Sequence, residues 1–127
     1  MSAPLYRLKI RTDFAAAHIL HGYDGPCSRL HGHNWVVEVE VSALSLDEIG
    51  MGMDFRTIKA KTKEVIEALD HQFLNELPAF AGINPTAENV AKHFYQTLQA
   101  QIDHDDVQLH AVTIWENERS AVTYSER

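Results

Sequence analysis

From His31 to Val41 the odd-numbered positions read His, His, Trp, Val, Val, Val, while the even-numbered ones include Glu38 and Glu40. That alternation specifies an extended strand with one buried face, because successive side chains leave a strand on opposite sides. It also carries two histidines onto the apolar side. A preceding stretch follows the same rule. Tyr6, Leu8 and Ile10 alternate with Arg7, Lys9 and Arg11, and Phe14, Ala16 and His18 keep the apolar parity. Residues 19–30 hold Gly22, Gly25 and Pro26 and read as a loop between the two strands.

Asp54 is placed to cap a helix running to about Leu69, with Phe55, Ile58, Thr62, Val65, Ile66 and Leu69 on its apolar stripe. Pro85, Thr86 and Glu88 form a second start signal, with Thr86 as cap and Val90, Ala91, Phe94, Leu98 and Ile102 on the buried side. Two closing strands, 107–116 and 121–125, are joined by the short turn Asn117-Glu118-Arg119. The order β-β-α-α-β-β predicts an α+β fold with a four-stranded antiparallel sheet and two helices. Four strands cannot close into a barrel of useful diameter, and an open sheet leaves exposed edges. The free edges are therefore expected to pair with other subunits, making a homo-oligomer.

At 127 residues the chain is expected to form one domain, residues 1–127, with the composition of an ordinary soluble globular protein. A net charge of −7 argues against a nucleic-acid surface. One cysteine cannot form an internal disulfide, so a reducing, cytoplasmic compartment is the default expectation. No stretch reads as a secretory signal or a membrane span.

His31 and His33, spaced i and i+2 around Gly32, project from one strand face, and His18 stands on the neighbouring strand. Three imidazoles with one position left over are the donor set of catalytic zinc, though iron or another divalent ion also suits them. Packed or surface histidines are the plain alternative, and His21, His93, His104 and His110 are read that way. Cys27, four residues before His31, reads either as a small buried residue or as a thiolate base or nucleophile near the metal. Asp70-His71 is either a helix end or an aspartate orienting an imidazole for proton transfer. Glu116, on the Val112 and Ile114 side of its strand, is a solvated strand end or an acceptor for a planar amidine edge.

Several segments occur in a recognisable order. They are Phe14-Ala15-Ala16-Ala17-His18, Cys27 three residues ahead of His31-Gly32-His33-Asn34, Met53-Asp54-Phe55, Leu69-Asp70-His71 with Leu74-Asn75, Pro85-Thr86-Ala87-Glu88-Asn89, and Glu116. Together, over about residues 5 to 125, they resemble the 6-pyruvoyl and 6-carboxy-tetrahydropterin synthase family. The short gap between Cys27 and His31 is similar to that of the bacterial 6-carboxy-tetrahydropterin synthases of queuosine biosynthesis. Trp35 and Asn117 depart from the commoner family residues.

The resemblance implies a tunnelling fold (T-fold), with sheets joined between subunits into a trimeric barrel and two trimers stacked as a hexamer. It implies conversion of 7,8-dihydroneopterin triphosphate to 6-carboxy-tetrahydropterin with loss of triphosphate and acetaldehyde. By the same resemblance His18, His31 and His33 hold Zn2+, Cys27 accepts a proton, Asp70 and His71 form a relay, and Glu116 anchors the pterin. Arg29, Lys59, Lys61, Lys63 and Arg119 are the candidate cations for the triphosphate. A pyruvoyl-forming or other pterin side-chain lyase, and a non-catalytic pterin- or metal-binding oligomer, are the rival readings.

Overall fold

A computed structural model describes residues 5–25 and 28–126. Strands β1 (Tyr6–His18) and β2 (His31–Ala43) form the long antiparallel pair that the alternation predicts. Helix α1 (Phe55–Glu67) follows, then a two-residue strand β3 (Gln72–Phe73), two single turns of 3-10 helix, and helix α2 (Ala87–Ile102). Strands β4 (Val107–Asn117) and β5 (Ser120–Tyr124) close the chain. The architecture is α+β, with strand order β3-β1-β2-β4-β5.

The sheet therefore has five strands and is mixed, where the sequence predicts four antiparallel ones. The additional strand, β3, runs parallel to β1 and pairs only with Ala16 and Ala17. A strand this short has no periodicity to detect. It exists because the turn after α1 lays the chain against the edge of β1.

One face of the sheet carries the core. Phe14 stacks on Trp35 with ring centroids 6.0 Å apart, and Phe94 of α2 closes on Phe14 at 5.8 Å. Ile58, Val65 and Ile66 of α1 and Val90, Leu98 and Ile102 of α2 join the same apolar cluster. Both predicted caps form. The Asp54 side chain accepts from the Arg56 N–H at 2.8 Å, and the Thr86 hydroxyl accepts from the Asn89 N–H at 3.1 Å.

The predicted stripe of α1 is wrong at its first position, since Phe55 is half exposed while Ile58, Thr62, Val65 and Ile66 are buried. The helix also stops at Glu67 rather than near Leu69.

The opposite face of the sheet is a charge ladder. Lys9 lies 3.6 Å from both Glu38 and Glu40, and Arg11 lies 3.2 Å from Glu38. Among the described residues no helix is long and apolar enough to cross a membrane.

Candidate metal centre and active site

The antiparallel register sets His18 directly opposite His31, and Ala16 opposite His33. The alternation has already put all three histidines on the core face, so their rings crowd together at one end of the sheet. Ring centroids are 4.4 Å apart for His18 and His31, 5.3 Å for His18 and His33, and 4.8 Å for His31 and His33. Beneath them lies Trp35, whose ring meets His18 at 4.9 Å and His33 at 5.4 Å, nearly edge-on in each case. The Trp35 indole N–H donates to the Ala16 carbonyl at 3.2 Å, which fixes this platform.

Hydrogen bonds decide which nitrogen His18 and His31 offer. His18 Nδ1 lies 2.8 Å from the Pro85 carbonyl, and His31 Nδ1 lies 2.7 Å from the Arg29 carbonyl. A carbonyl only accepts, so each Nδ1 carries the proton and each Nε2 is left with a bare lone pair. An outer hydrogen bond of this kind is how proteins aim metal-binding imidazoles. The Nε2 atoms of His18, His31 and His33 are all buried and all lack a hydrogen-bond partner.

Glu116 completes the group: its carboxylate and the three imidazoles place their ligand atoms within 4.8 Å of one another. It reaches this position through an irregularity between Trp115 and Asn117 in the pairing of β4 with β5. Such a bulge re-aims a side chain.

Burial holds the His18 imidazole below its ordinary pKa, against the opposing pull of the Pro85 carbonyl and the Glu116 carboxylate. His33 is lowered as well, again chiefly by desolvation. Both rings are thus neutral at pH 7, the form that binds a cation. Three orphaned, converging imidazole nitrogens beside a carboxylate fit a divalent metal ion, and buried polar atoms of this sort call for a partner.

Asp70 and His71 stand nearby, at the edge of β1. Asp70 Oδ1 accepts from the Ala15 N–H at 2.9 Å, and the His71 N–H donates to the Ala15 carbonyl at 2.6 Å. This clamp holds His71 at φ 59°, a left-handed conformation that a histidine adopts only at some cost. Asp70 Oδ2 is 3.1 Å from His71 Nδ1. The Ala15 N–H, more than His71, draws the Asp70 carboxyl below its usual range. The His71 side chain is 80% exposed and borders a cleft of about 520 Å³ shared with His33 and Asn34.

Cys27 lies outside the described residues. Of the proposed phosphate-binding cations, Lys59 and Lys63 line a separate cavity with Arg11 and Asp13. Arg11, which the sequence did not single out for this role, also borders the cleft beside His33 and Glu116. His21 and His104 contribute nothing to the group, His93 packs against Phe80 and Phe94, and His110 lies 3.4 Å from Glu40.

Two asparagines do work that the residue pattern did not reveal. Asn75 accepts from the Ile19 N–H and donates to the Ile19 carbonyl, both at 2.9 Å. Asn84 makes the same pair with His21 at 2.8 Å. Each amide imitates a strand neighbour and pins the chain just beyond His18. The only signal in the sequence was the place of Asn75 among the ordered motif residues.

Comparison with known proteins places this arrangement. The profile of the 6-pyruvoyl tetrahydropterin synthase family matches residues 7–127. A protein of Aquifex aeolicus named 6-carboxy-5,6,7,8-tetrahydropterin synthase is 32% identical over 123 residues, covering 79% of this chain and 76% of its own. The 6-pyruvoyl tetrahydrobiopterin synthase of Dictyostelium discoideum is 35% identical over 102 residues, covering 79% and 73% respectively. The structure of 6-pyruvoyl tetrahydropterin synthase from Caenorhabditis elegans superposes with a TM-score of 0.87 at 28% identity, covering 100% of this chain and 99% of that one. With its sheet, its two helices and its match across nearly the whole length, this chain belongs to the 6-pyruvoyl tetrahydropterin synthase family.

Proposed function

We propose that this protein is a zinc-dependent lyase that converts 7,8-dihydroneopterin triphosphate to 6-carboxy-5,6,7,8-tetrahydropterin in queuosine biosynthesis, releasing triphosphate and acetaldehyde. The observation that carries the reading is the convergence of three buried, unpartnered Nε2 atoms beside clefts bordered by His71 and Glu116. His18, His31 and His33 would hold the ion. When bound, it would polarise an oxygen of the substrate side chain and acidify the neighbouring C–H.

The remaining roles belong to the chain. Cys27, four residues before His31 in the sequence, accepts the carbon-bound proton. His71 returns or shuttles it: with Asp70 fixing a proton on Nδ1, Nε2 is free to exchange one. Glu116 accepts two hydrogen bonds from the amidine edge of the pterin ring. Its carboxylate borders a cavity of about 330 Å³ that Leu20, Tyr23, Thr86 and Ala87 help to line.

The carboxy product is favoured by relatives bearing that name and by the three-residue gap between Cys27 and His31. The Dictyostelium and Caenorhabditis relatives are named for the pyruvoyl product, so product identity is the decisive test. Incubation of the pure protein with the triphosphate should release acetaldehyde in step with triphosphate. A pyruvoyl product without acetaldehyde would exclude the assignment.

For assembly, a homohexamer built as two stacked trimers is proposed. Among the described residues β3 pairs with β1 only at Ala16 and Ala17, leaving the Arg7–Asp13 edge open, and β5 has no outer neighbour. Open edges of this length invite pairing with another copy. Sedimentation equilibrium should give the mass of six chains, and a stable monomer at micromolar concentration would contradict this.

A further inference from the structure

Glu116 has two claims on it, and one carboxylate oxygen cannot meet both. On the proposed function it receives the pterin. Here its Oε1 stands among the imidazoles instead, 3.3 Å from His18 Nε2 and 3.5 Å from His33 Nε2. Those distances are long for N–H···O hydrogen bonds, and neither nitrogen has a hydrogen-bond partner.

They match a different geometry. Donors about 2.0–2.2 Å from a shared tetrahedral ion stand about 3.4 Å from one another. The tautomer of His18 points the same way. Its Nδ1 proton is committed to Pro85, so a lone pair on Nε2 faces a carboxylate oxygen. Two acceptors at that separation repel each other unless a cation lies between them.

We infer that Glu116 is the fourth ligand of the metal in the ligand-free protein, and that an incoming pterin draws it off onto the amidine edge and so opens the coordination position. The identity of the displacing ligand rests on the proposed function; the ligation itself does not. Room for the movement exists, because Glu116 borders two clefts, one with His33, Asn34 and Trp115 and the other with Tyr23, Thr86 and Ala87. The exchange replaces a metal–carboxylate bond with two charge-assisted hydrogen bonds. It makes the recognised end of the substrate the key to the reactive end. A molecule offering a hydroxylated side chain without the amidine edge would find the ion capped.

The test uses the full-length protein loaded with Co2+, whose visible bands are intense when it is four-coordinate, weaken when water raises the coordination to five or six, and shift when a carboxylate ligand is exchanged for water. Wild-type protein without pterin should show the four-coordinate spectrum. Glu116→Gln should show bands shifted from those of wild type and a zinc dissociation constant raised at least ~10-fold, the lower end of what an outer partner alone is worth. Glu116→Ala, checked for folding by circular dichroism, should behave alike. Unreactive pterin, which has the amidine edge but no side chain, should move the wild-type spectrum toward that of Glu116→Gln and leave the variant unmoved.

Unchanged spectrum and affinity in both variants would overturn the ligation, and a wild-type spectrum indifferent to pterin would overturn the exchange. Loss of Co2+ uptake in His31→Ala alongside unchanged Glu116 variants would leave the metal centre standing and remove only the cap. A wild-type chain that takes up no metal would sink both this inference and the proposed function.

Discussion

Replacing His31 with alanine is expected to abolish stoichiometric metal binding and, with it, turnover by at least ~10³-fold. His31 is one of three imidazoles aimed at a common point, and its Nδ1 is anchored by the Arg29 carbonyl rather than by a replaceable side chain. Losing one of three nitrogen donors leaves His18 and His33 with only the displaceable Glu116 carboxylate, a set too weak to hold the ion in competition with buffer. The several kcal/mol of charge stabilisation that the ion supplies goes with it. His31 is only partly buried, whereas Trp35 and His18 are fully enclosed, so the substitution leaves the platform beneath the site in place. Metal analysis after dialysis, run beside wild type and accompanied by a thermal melt, separates loss of the ion from loss of the fold.

The second large effect is expected at Cys27 and has the opposite signature. Cys27→Ala should retain the metal at wild-type stoichiometry while turnover falls by roughly 10²–10⁴-fold, the usual worth of a positioned base. The contrast discriminates between readings. In a non-catalytic pterin- or metal-binding oligomer neither variant has turnover to lose. If the thiolate were a ligand instead of a base, Cys27→Ala would weaken metal binding as His31→Ala does. Paired measurements of metal content and product formation on the two variants resolve these cases.

The parts of this molecule written in its sequence are those with a period or a cap. Alternation through Tyr6–His18 and His31–Ala43 gave both long strands, and with them the face on which three histidines would lie. The two caps marked where α1 and α2 begin. What stayed hidden depends on contacts remote in sequence. β3 is two residues held by Ala16 and Ala17, and His71 occupies its left-handed conformation because Ala15 and Asp70 clamp it there.

The same holds for Glu116. Parity put it correctly beside Ile114, yet the bulge that turns it toward His18 and His33 has no compositional mark. Trp35 read simply as an apolar residue of β2. In the fold it is also the surface that two of the three imidazoles rest against. Lys59 and Lys63, counted as phosphate-binding candidates from charge alone, face a cavity that holds none of the metal-centre residues, a distinction only the packing of α1 on β1 could draw.

The most direct test of the account is the X-ray absorption spectrum of the zinc-loaded, substrate-free protein at the zinc edge. The expected result is a single shell of nitrogen and oxygen at about 2.0–2.1 Å, with the outer scattering of several imidazole rings and no sulfur. A sulfur neighbour at about 2.3 Å, or a shell without imidazole scattering, would contradict it.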